Sequence, residues 1–298
     1  MKKLLKIILV NFILCTLIFC IGEFACTFFN YIQHDHSAYP FSNHIKNVWN
    51  SYQDTDYFKD YEFRKPSDPT IQTEKLPIAI MGCSFAYGMN LKETETISAQ
   101  LAKITGRKVY NAGLIASSPR EMLYILRTEK WRKELLGEEN NLEYIIYPYI
   151  YHHLFRLYNE TKMITHSPKF KKKGNSLEYY KRKNFLFKTQ LHKKALEVRY
   201  NIINGKKAFE LMKLYLTEIN KEIKKNYPNA QFVILVYDEN GTEDWNFFEK
   251  EGIKIVKVTN LTTNKNILEN EYRLSDNKHP NAKAWEEIVP LLSEKLNL

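Results

Sequence analysis

The sequence is poor in the residues from which disulfide frameworks, metal sites and phosphate loops are built. Of its 298 residues only four are cysteine; Cys15, Cys20 and Cys26 lie within the first thirty, and Cys83 stands alone in the rest. A single cysteine cannot form a disulfide framework, and no cluster of Cys, His, Asp and Glu has the spacing of a zinc site. The sequence also has no glycine-rich phosphate loop and no internal repeat. We therefore expect chemistry without a metal ion or another cofactor.

The first 32 residues differ from the rest of the chain. Three lysines within the first six residues precede an uncharged apolar run at 7–22, and apolar character continues to position 32. About 20 apolar residues are needed to cross a bilayer as a helix. Residues 1–32 therefore predict an N-terminal transmembrane anchor, with a cleaved signal peptide as the alternative. No small-x-small cleavage site follows the run cleanly, which favours the anchor. Lysines before the run indicate a single-pass cell-membrane protein with a cytoplasmic N-terminus and the remaining chain outside.

Positive charge is concentrated in one part of the chain. The net charge is +10, and residues 160–225 alone hold 18 Lys or Arg against 6 Asp or Glu. A basic stretch of this kind attracts nucleic acid, anionic lipid or an acidic polymer, or is simply a solvated surface. Outside the cell membrane we expect no nucleic acid. The sequence thus predicts an anionic polymer or lipid as partner, with the solvated surface as the alternative.

The chain is organised in three parts. Residues 33–75 predict a juxtamembrane connector, polar and aromatic with little periodicity, with a short extended piece at 61–66 that packs beside the main domain. Residues 76–298 alternate between strand and helix patterns, which predicts helices on both faces of a mainly parallel, five-stranded sheet. Residues 151–205 interrupt the alternation. They are basic and rich in tyrosine, show no convincing strand, and predict an insertion that caps the site or faces a partner.

The predicted strands are 77–82, 108–112, 142–150, 231–237 and 253–258, and the predicted helices are 94–105, 119–136, 208–225, 245–251 and 281–296.

A serine follows the first predicted strand. The apolar run 78–81 ends in Gly82-Cys83-Ser84, and a helical pattern comes next. A turn between strand and helix can hold a serine hydroxyl clear of the sheet, with backbone N–H groups nearby to receive an anion. Cys83 is an alternative nucleophile. At a strand end, however, its side chain points away from that of Ser84, which favours a packed, inert thiol.

An acid and a histidine follow the last predicted strand. Asp276 and His279 are three residues apart, so one tight turn can bring the carboxylate to the imidazole Nδ1 and leave Nε2 facing Ser84. The C-terminal ends of parallel strands share one edge of a sheet, so both loops reach the same rim. A serine nucleophile needs a base that is itself oriented by an acceptor. Ser84, His279 and Asp276 are therefore the candidate catalytic residues.

These two segments resemble the first and last signature blocks of the SGNH/GDSL hydrolases, with Gly-Cys-Ser in place of the usual Gly-Asp-Ser and Asp-x-x-His-Pro at the end. The resemblance covers about residues 76–298 and implies a flavodoxin-like, three-layer α/β/α fold. The string Gly82-x-Ser84-x-Ala86 also fits the nucleophile elbow of an α/β-hydrolase. That fold generally has several strands before its serine and places its acid and histidine on separate loops. The SGNH resemblance therefore fits better.

The resemblance also implies which groups stabilise the oxyanion of the reaction. The N–H of Ser84 is the first donor, and the N–H of Gly113, in an Asn-Ala-Gly segment that matches the second block, is the second. The third block normally supplies an asparagine, which this chain lacks. His153 is the candidate in its place, with His152 as the alternative, although paired histidines after a strand are as often structural. Loss of one oxyanion donor can cost roughly 10²–10³ in rate, so a slow, specialised or inactive site is the competing interpretation.

We therefore predict a membrane-anchored serine esterase that removes acyl or acetyl groups from an envelope glycan or lipid. One alternative is an O-acetyltransferase that uses the same three residues with a donor delivered by a membrane partner. The other is a catalytically reduced binding or assembly protein of the envelope, an interpretation motivated by the missing asparagine and the basic insertion.

Overall fold

A computed structural model of the chain describes residues 11–22, 24, 25, 58, 63–68, 73–138, 140–157, 168–179, 205–239, 241, 243–264, 266–276 and 278–298. It divides into two units, Met1–Tyr57 with Lys181–Ile203, and Phe58–Tyr180 with Asn204–Leu298.

Only a short part of the first unit is described. Residues 11–22 are helical. Within the described ranges, no helix is both long enough and apolar enough to cross a membrane. The predicted anchor at 1–32 and connector at 33–75 lie largely outside those ranges. Both stay predictions, as do the predicted domain boundaries.

The second unit is built around a parallel sheet. Its strands are β1 (Ile78–Gly82), β2 (Val109–Gly113), β3 (Tyr144–Tyr149), β4 (Phe170–Lys173), β5 (Ser176–Tyr179), β6 (Gln231–Val236) and β7 (Lys254–Lys257). Five of them form one parallel sheet in the order β2-β1-β3-β6-β7, while β4 and β5 form a separate antiparallel hairpin. With the hairpin set aside, this is the 2-1-3-4-5 order of flavodoxin-like sheets. The predicted α/β domain with a five-stranded parallel sheet is confirmed.

Nine labelled helices accompany these strands in the described part of the unit. They are α1 (Ser84–Tyr87), α2 (Ile97–Thr105), α3 (Pro119–Arg127), α4 (Glu129–Leu136), α5 (His152–Arg156), α6 (Gly205–Asn226), α7 (Trp245–Lys250), α8 (Val258–Leu261) and α9 (Ala282–Leu296).

Both faces of the sheet are covered, as the apolar strand sequences require. All of β1 is buried, and so is β6 after its first residue; continuous apolar runs of this kind are typical of strands that pack on two faces. Side chains of α2 and α9 share one core cluster with β1, β6 and Ile146 of β3. Ile145 and Tyr147 alternate with Ile146 and are fully buried outside that cluster. They therefore cover the opposite face.

The helix predicted at 119–136 is two helices. Ser118 caps α3 in a capping box with Glu121, and Pro119 occupies its first position. Thr128 then adopts an extended conformation (φ −103°, ψ 109°) and starts α4. A β-branched residue with a hydroxyl suits such a boundary better than a helix interior. The apolar periodicity continues across it, which is why the sequence pattern did not show the break.

The prediction that 151–205 holds no strand was wrong. Phe170–Lys173 and Ser176–Tyr179 pair in antiparallel register, with Gly174 in the turn at φ +60°. Three consecutive lysines have low strand propensity and hide the alternation, but the Gly-Asn pair between the strands is a hairpin signal. Only Leu177 of the hairpin is buried. The rest of the predicted insertion, apart from residues 151–157, 168–179 and 205, lies outside the described residues.

Candidate active site

Ser84 stands where β1 gives way to α1. It is the first residue of α1, follows the N-cap Cys83, and is 3% exposed. Its carbonyl accepts the N–H groups of Gly88 (2.9 Å) and Met89 (3.0 Å), which closes the turn behind it. The first N–H groups of a helix have no acceptor within the helix, so α1 offers no acceptor to the Ser84 N–H. Cys83 is fully buried in the core cluster, and the packing predicted for its thiol is confirmed.

The loop that carries His279 is held at both ends. The N–H of Leu274 donates to the carbonyl of His279 (2.8 Å), and the N–H of Asn281 donates to Tyr272 (3.0 Å). The Asn281 side chain caps α9 by accepting the N–H of Ala284 at 3.1 Å. Because α9 packs on the sheet, these bonds fix the position of His279 relative to the strands.

The structure brings Ser84, His279 and Asp276 into one chain of hydrogen bonds. His279 Nε2 lies 2.8 Å from Ser84 Oγ, although the two residues are 195 positions apart. On the other side of the ring, Nδ1 is hydrogen-bonded to Asp276 Oδ2. Asp276 Oδ1 accepts the backbone N–H groups of Lys278 (2.9 Å) and His279 (3.0 Å). The carboxylate thus closes the turn and orients the ring at the same time.

The environment of Asp276 determines which ring nitrogen of His279 carries a proton when the imidazole is neutral. Burial raises the pKa of Asp276, but hydrogen bonds from the backbone and ring of His279 and from the backbone of Lys278 outweigh it and lower the pKa to about 2. An ionised carboxylate only accepts hydrogen bonds, so His279 Nδ1 carries the proton and donates it to Asp276. Nε2 is then the acceptor, and the Ser84 hydroxyl donates to it. This is the arrangement that a general base needs.

We expect Asp276→Asn to lower kcat for ester hydrolysis by on the order of 10²–10⁴. An amide can donate to Nδ1, which would leave the proton on Nε2 and remove the acceptor for Ser84. Because the pKa of Asp276 is about 2, the loss should persist from pH 5 to pH 9. The measurement is kcat across that range, with Asp68→Asn, an exposed carboxylate beside the start of β2, as the control. Recovery of full activity at any pH in the range would contradict the assigned tautomer.

Gly113 lies at the end of β2, against the turn that carries Ser84. Its N–H donates to Asn111 Oδ1 at 3.1 Å, and Asn111 Nδ2 donates to Ser98 Oγ at 3.0 Å. A Cβ on Gly113 would lie 2.2 Å from the backbone nitrogen of Tyr87. Glycine is therefore what lets α1 approach β2. As an oxyanion donor, Gly113 would have to share the N–H that Asn111 already accepts, and that role stays a prediction.

His153 is fully buried below the end of β3. Its Nδ1 lies 2.5 Å from the Tyr147 hydroxyl and 3.4 Å from the N–H of Ile150, while its Nε2 has no hydrogen-bond partner in the described part of the chain. No hydrogen bond among those residues joins it to Ser84 or Gly113. The structure brings the three triad residues together, and the predicted role of His153 in the oxyanion site stays a prediction.

We expect His153 to make the fold sensitive to acid. Burial, followed by the charges of Arg156 and His152, lowers the pKa of His153 well below its ordinary value of 6.5. Below pH 6.5 the unfolded chain therefore binds a proton that the folded chain does not, and the free energy of unfolding should fall by up to about 1.4 kcal/mol per pH unit.

His153→Gln should remove that part of the slope. The measurement is the urea midpoint of the wild type and the variant from pH 7.5 to pH 5. His152→Gln serves as control, because His152 is exposed and its pKa is lowered less strongly. Parallel pH profiles for wild type and His153→Gln would contradict the prediction.

Arg64 is a residue of this region that sequence reasoning missed. Its Nη2 donates to the carbonyls of Gly88 (2.8 Å) and Leu91 (2.9 Å), and its Nη1 donates to Glu93 (2.6 Å). Its guanidinium also lies 4.8 Å from the centre of the Tyr87 ring. Three residues on, the backbone of Ser67 pairs antiparallel with the start of β2. The extended piece predicted before the sheet does pack beside it, but no sequence signal pointed to Arg64.

A surface cavity of about 390 Å³ lies beside β7, away from the triad. Its lining includes Trp245, Lys257 and Asn260, and none of Ser84, Asp276 and His279 belongs to it. The cavity is therefore not formed by the nucleophile and base, and the chemistry of their side chains identifies the triad as the candidate active site.

No protein-family model matches the chain, and no curated protein matches it in sequence. Solved structures do resemble it. A lipolytic protein of the G-D-S-L family from Desulfitobacterium hafniense DCB-2 is 11% identical, with 74% of this chain and 99% of that chain covered at a TM-score of 0.42. An acetyl xylan esterase from Butyrivibrio proteoclasticus is 12% identical, with 76% and 65% covered at a TM-score of 0.43. A salicylyl-acyltransferase from a tetracycline biosynthetic pathway is 10% identical, with 76% and 55% covered at a TM-score of 0.41.

Proposed function

We propose that the protein is a membrane-anchored serine ester hydrolase that removes acyl or acetyl groups from an envelope glycan or lipid. The observation that carries the proposal is the continuous chain of hydrogen bonds from Ser84 through His279 to Asp276. A serine, an imidazole and a carboxylate in this order are the parts of an activated oxygen nucleophile.

In the first half of the reaction, Ser84 Oγ attacks the ester carbonyl and its proton passes to His279 Nε2. The imidazolium that forms is stabilised by Asp276, whose low pKa keeps it ionised. The N–H of Ser84, which has no acceptor within α1, donates to the oxyanion of the tetrahedral intermediate. When the intermediate collapses, Nε2 returns the proton to the departing alcohol, and the acyl group remains on Ser84.

In the second half, Nε2 removes a proton from water as the water attacks the acyl group. When the tetrahedral intermediate collapses, Nε2 returns that proton to Ser84 Oγ, and the carboxylic acid and the free Ser84 hydroxyl are released. A sugar hydroxyl in place of that water would give acyl transfer instead. The same residues therefore serve the O-acetyltransferase alternative, and the two functions differ only in the acceptor.

The experiment uses the full chain and a small chromogenic ester, 4-nitrophenyl acetate. We expect turnover together with covalent labelling by a fluorophosphonate, located at Ser84 by peptide mass. Addition of a glycan acceptor then separates transfer from hydrolysis, since a transferase acetylates the glycan. Absence of both turnover and labelling would leave the envelope binding or assembly protein as the better interpretation.

The proposed location rests on the lysines and apolar run at the N-terminus. We expect residues from about 33 onward to lie outside the cytoplasm. Fusion of a C-terminal reporter that is active only in the cytoplasm measures this, with a reporter that is active only outside as its counterpart. Activity of the cytoplasmic reporter would overturn the topology.

A further inference from the structure

Two arginines, Arg120 and Arg156, interlock beside the candidate active site. Arg156 Nη1 donates to the carbonyl of Ser117 at 3.0 Å, three residues before Arg120. Arg120 Nη2 donates to the carbonyl of Arg156 at 3.2 Å and also to that of Leu157. Each side chain therefore holds the backbone of the segment that carries the other, and both guanidinium groups lie between the loop after β2 and helix α5.

The strand order places this pair next to Ser84. Since β1 lies between β2 and β3, a side chain that reaches from α5 after β3 to the loop after β2 passes the C-terminal end of β1. Ser117 makes the link direct, because its hydroxyl donates to the carbonyl of Gly82 at 2.7 Å. Gly82 is the last residue of β1, two positions before Ser84. Arg156, which is only partly buried, is thus linked through Ser117 to the end of β1 that leads to Ser84.

Neither guanidinium group forms an ion pair with a carboxylate of the described residues. All of the hydrogen bonds that the two groups make there go to backbone carbonyls. Arg120 is 4% exposed, and its Nη1 is buried without a hydrogen-bond partner in those residues. The neighbouring carboxylate, Glu121, accepts the N–H and hydroxyl of Ser118. Like charges held together in a partly buried place favour the binding of an anion.

Other positive charge lies on the same rim. Lys278 directly precedes His279, and its charge, together with that of Arg156, lowers the pKa of His152 after burial has done so. Carboxylates lie on this rim as well. Asp276 is engaged by His279 and by two backbone N–H groups, and Asp238, two residues after β6, accepts the N–H of Tyr151 at 2.7 Å. Both carboxylates already hold hydrogen-bond donors of the protein, so the cations Arg156 and Lys278 are the groups that a ligand anion would meet.

Resting on the proposed function of Ser84, we infer that Arg156, held in place by Arg120, binds an anionic group of the substrate beside the ester that is cleaved. A planar guanidinium matches the two oxygens of a carboxylate or a phosphate. The side chains grouped there, His152, Arg156 and Lys278, are polar. They suit a sugar acid better than a lipid acyl chain, and the substrate class is an acylated acidic polysaccharide.

The test compares acetate release from acetylated polygalacturonate, which is anionic, and from acetylated xylan, which is neutral, by the full-length protein. We expect the wild type to prefer the anionic polymer in kcat/KM, and Arg156→Gln to lower that preference at least tenfold. Arg156→Lys should lie between the two. Lys225→Gln, which removes an exposed charge at the end of α6, is the matched control and should keep the wild-type preference. Salt should also reduce the preference of the wild type, because the Debye length falls from about 10 Å at 0.1 M to about 3 Å at 1 M.

Equal losses on the two polymers in Arg156→Gln would overturn the inference, since Arg156 would then act on the reaction or the fold rather than on substrate charge. Effects confined to phosphatidylglycerol vesicles would instead assign the site to anionic lipid and overturn the polysaccharide. Binding separates this inference from the proposed function. In the Ser84→Ala background, Arg156→Gln should weaken the affinity for polygalacturonate about tenfold. That result without any hydrolysis by the wild type would reject the esterase and keep the anion site, whereas hydrolysis with unchanged binding and preference would do the reverse.

Discussion

Ser84→Ala should lower kcat for 4-nitrophenyl acetate by on the order of 10⁴ or more. The substitution removes the oxygen that attacks the ester, and His279 Nε2 loses the hydroxyl that lies 2.8 Å away. What catalysis is left comes from substrate binding and from N–H donors to the oxyanion. The fold should change little, because the change deletes one small side chain whose hydrogen bond contributes about 1 kcal/mol.

The measurement combines steady-state hydrolysis, fluorophosphonate labelling and urea unfolding. Ser176→Ala, which removes an exposed hydroxyl from the β4–β5 hairpin, controls for loss of any serine. A Ser84→Ala protein that is folded and keeps more than about a hundredth of the wild-type rate would show that another group is the nucleophile.

Gly113→Ala should have the largest effect on the structure around the site. The added Cβ would lie 2.2 Å from the nitrogen of Tyr87 and 2.6 Å from the carbonyl carbon of Ala86. Both are backbone atoms, so no side chain can rotate away and α1 must shift as a whole. Overpacking of this kind costs about 1–3 kcal/mol or more. Because α1 begins with Ser84, a displacement of about 1 Å should also lower kcat by about 10²-fold.

The control is Gly174→Ala in the hairpin turn. A Cβ there meets nothing within 4 Å, but the residue has a φ of +60°, so alanine pays only for backbone strain, about 1 kcal/mol. The measurements are urea unfolding and kcat of both variants. Gly174→Ala reports the cost of backbone strain alone, and Gly113→Ala reports the steric clash with α1. If Gly113→Ala is no less stable than Gly174→Ala and keeps its activity, the close approach of α1 to β2 is not what requires glycine.

Two properties decided which contacts the sequence could predict. One is the separation of the two residues along the chain, and the other is whether both contribute a recognisable side chain. Asp276 and His279 are three residues apart and their side chains contact each other, so their partnership could be seen in the sequence. Ser84 is far from them in the sequence. Because the C-terminal ends of parallel strands lie at one edge of the sheet, the strand pattern nevertheless predicted that Ser84 and His279 lie close together. The sheet followed from the alternation of apolar strands and amphipathic helices.

The contacts that were missed have no such pattern. Arg64 binds the carbonyls of Gly88 and Leu91, and a carbonyl belongs to every residue, so nothing in the sequence marks the acceptor. The same holds for Arg156 and the carbonyl of Ser117. His153 stood where a third oxyanion donor was expected, and only the packing of Tyr147 and Ile150 around it shows that its Nδ1 is already engaged.

Arg64 hydrogen-bonds the turn that follows Ser84, and this restricts where a gene fusion can join a new N-terminal segment to the catalytic domain. Residues 63–68 precede the first strand of the sheet in sequence. Ser67 nevertheless pairs with the start of β2, and Arg64 hydrogen-bonds the turn after Ser84. A gene fusion that joins a new N-terminal segment at β1 would discard Arg64. The Leu91 carbonyl and Glu93 would lose this donor, and the Gly88 carbonyl would keep only the N–H of Leu91. A fusion upstream of residue 63 would keep these hydrogen bonds. We therefore expect natural or engineered fusions to keep residues 63–68 together with the catalytic domain and to replace only the chain before residue 63.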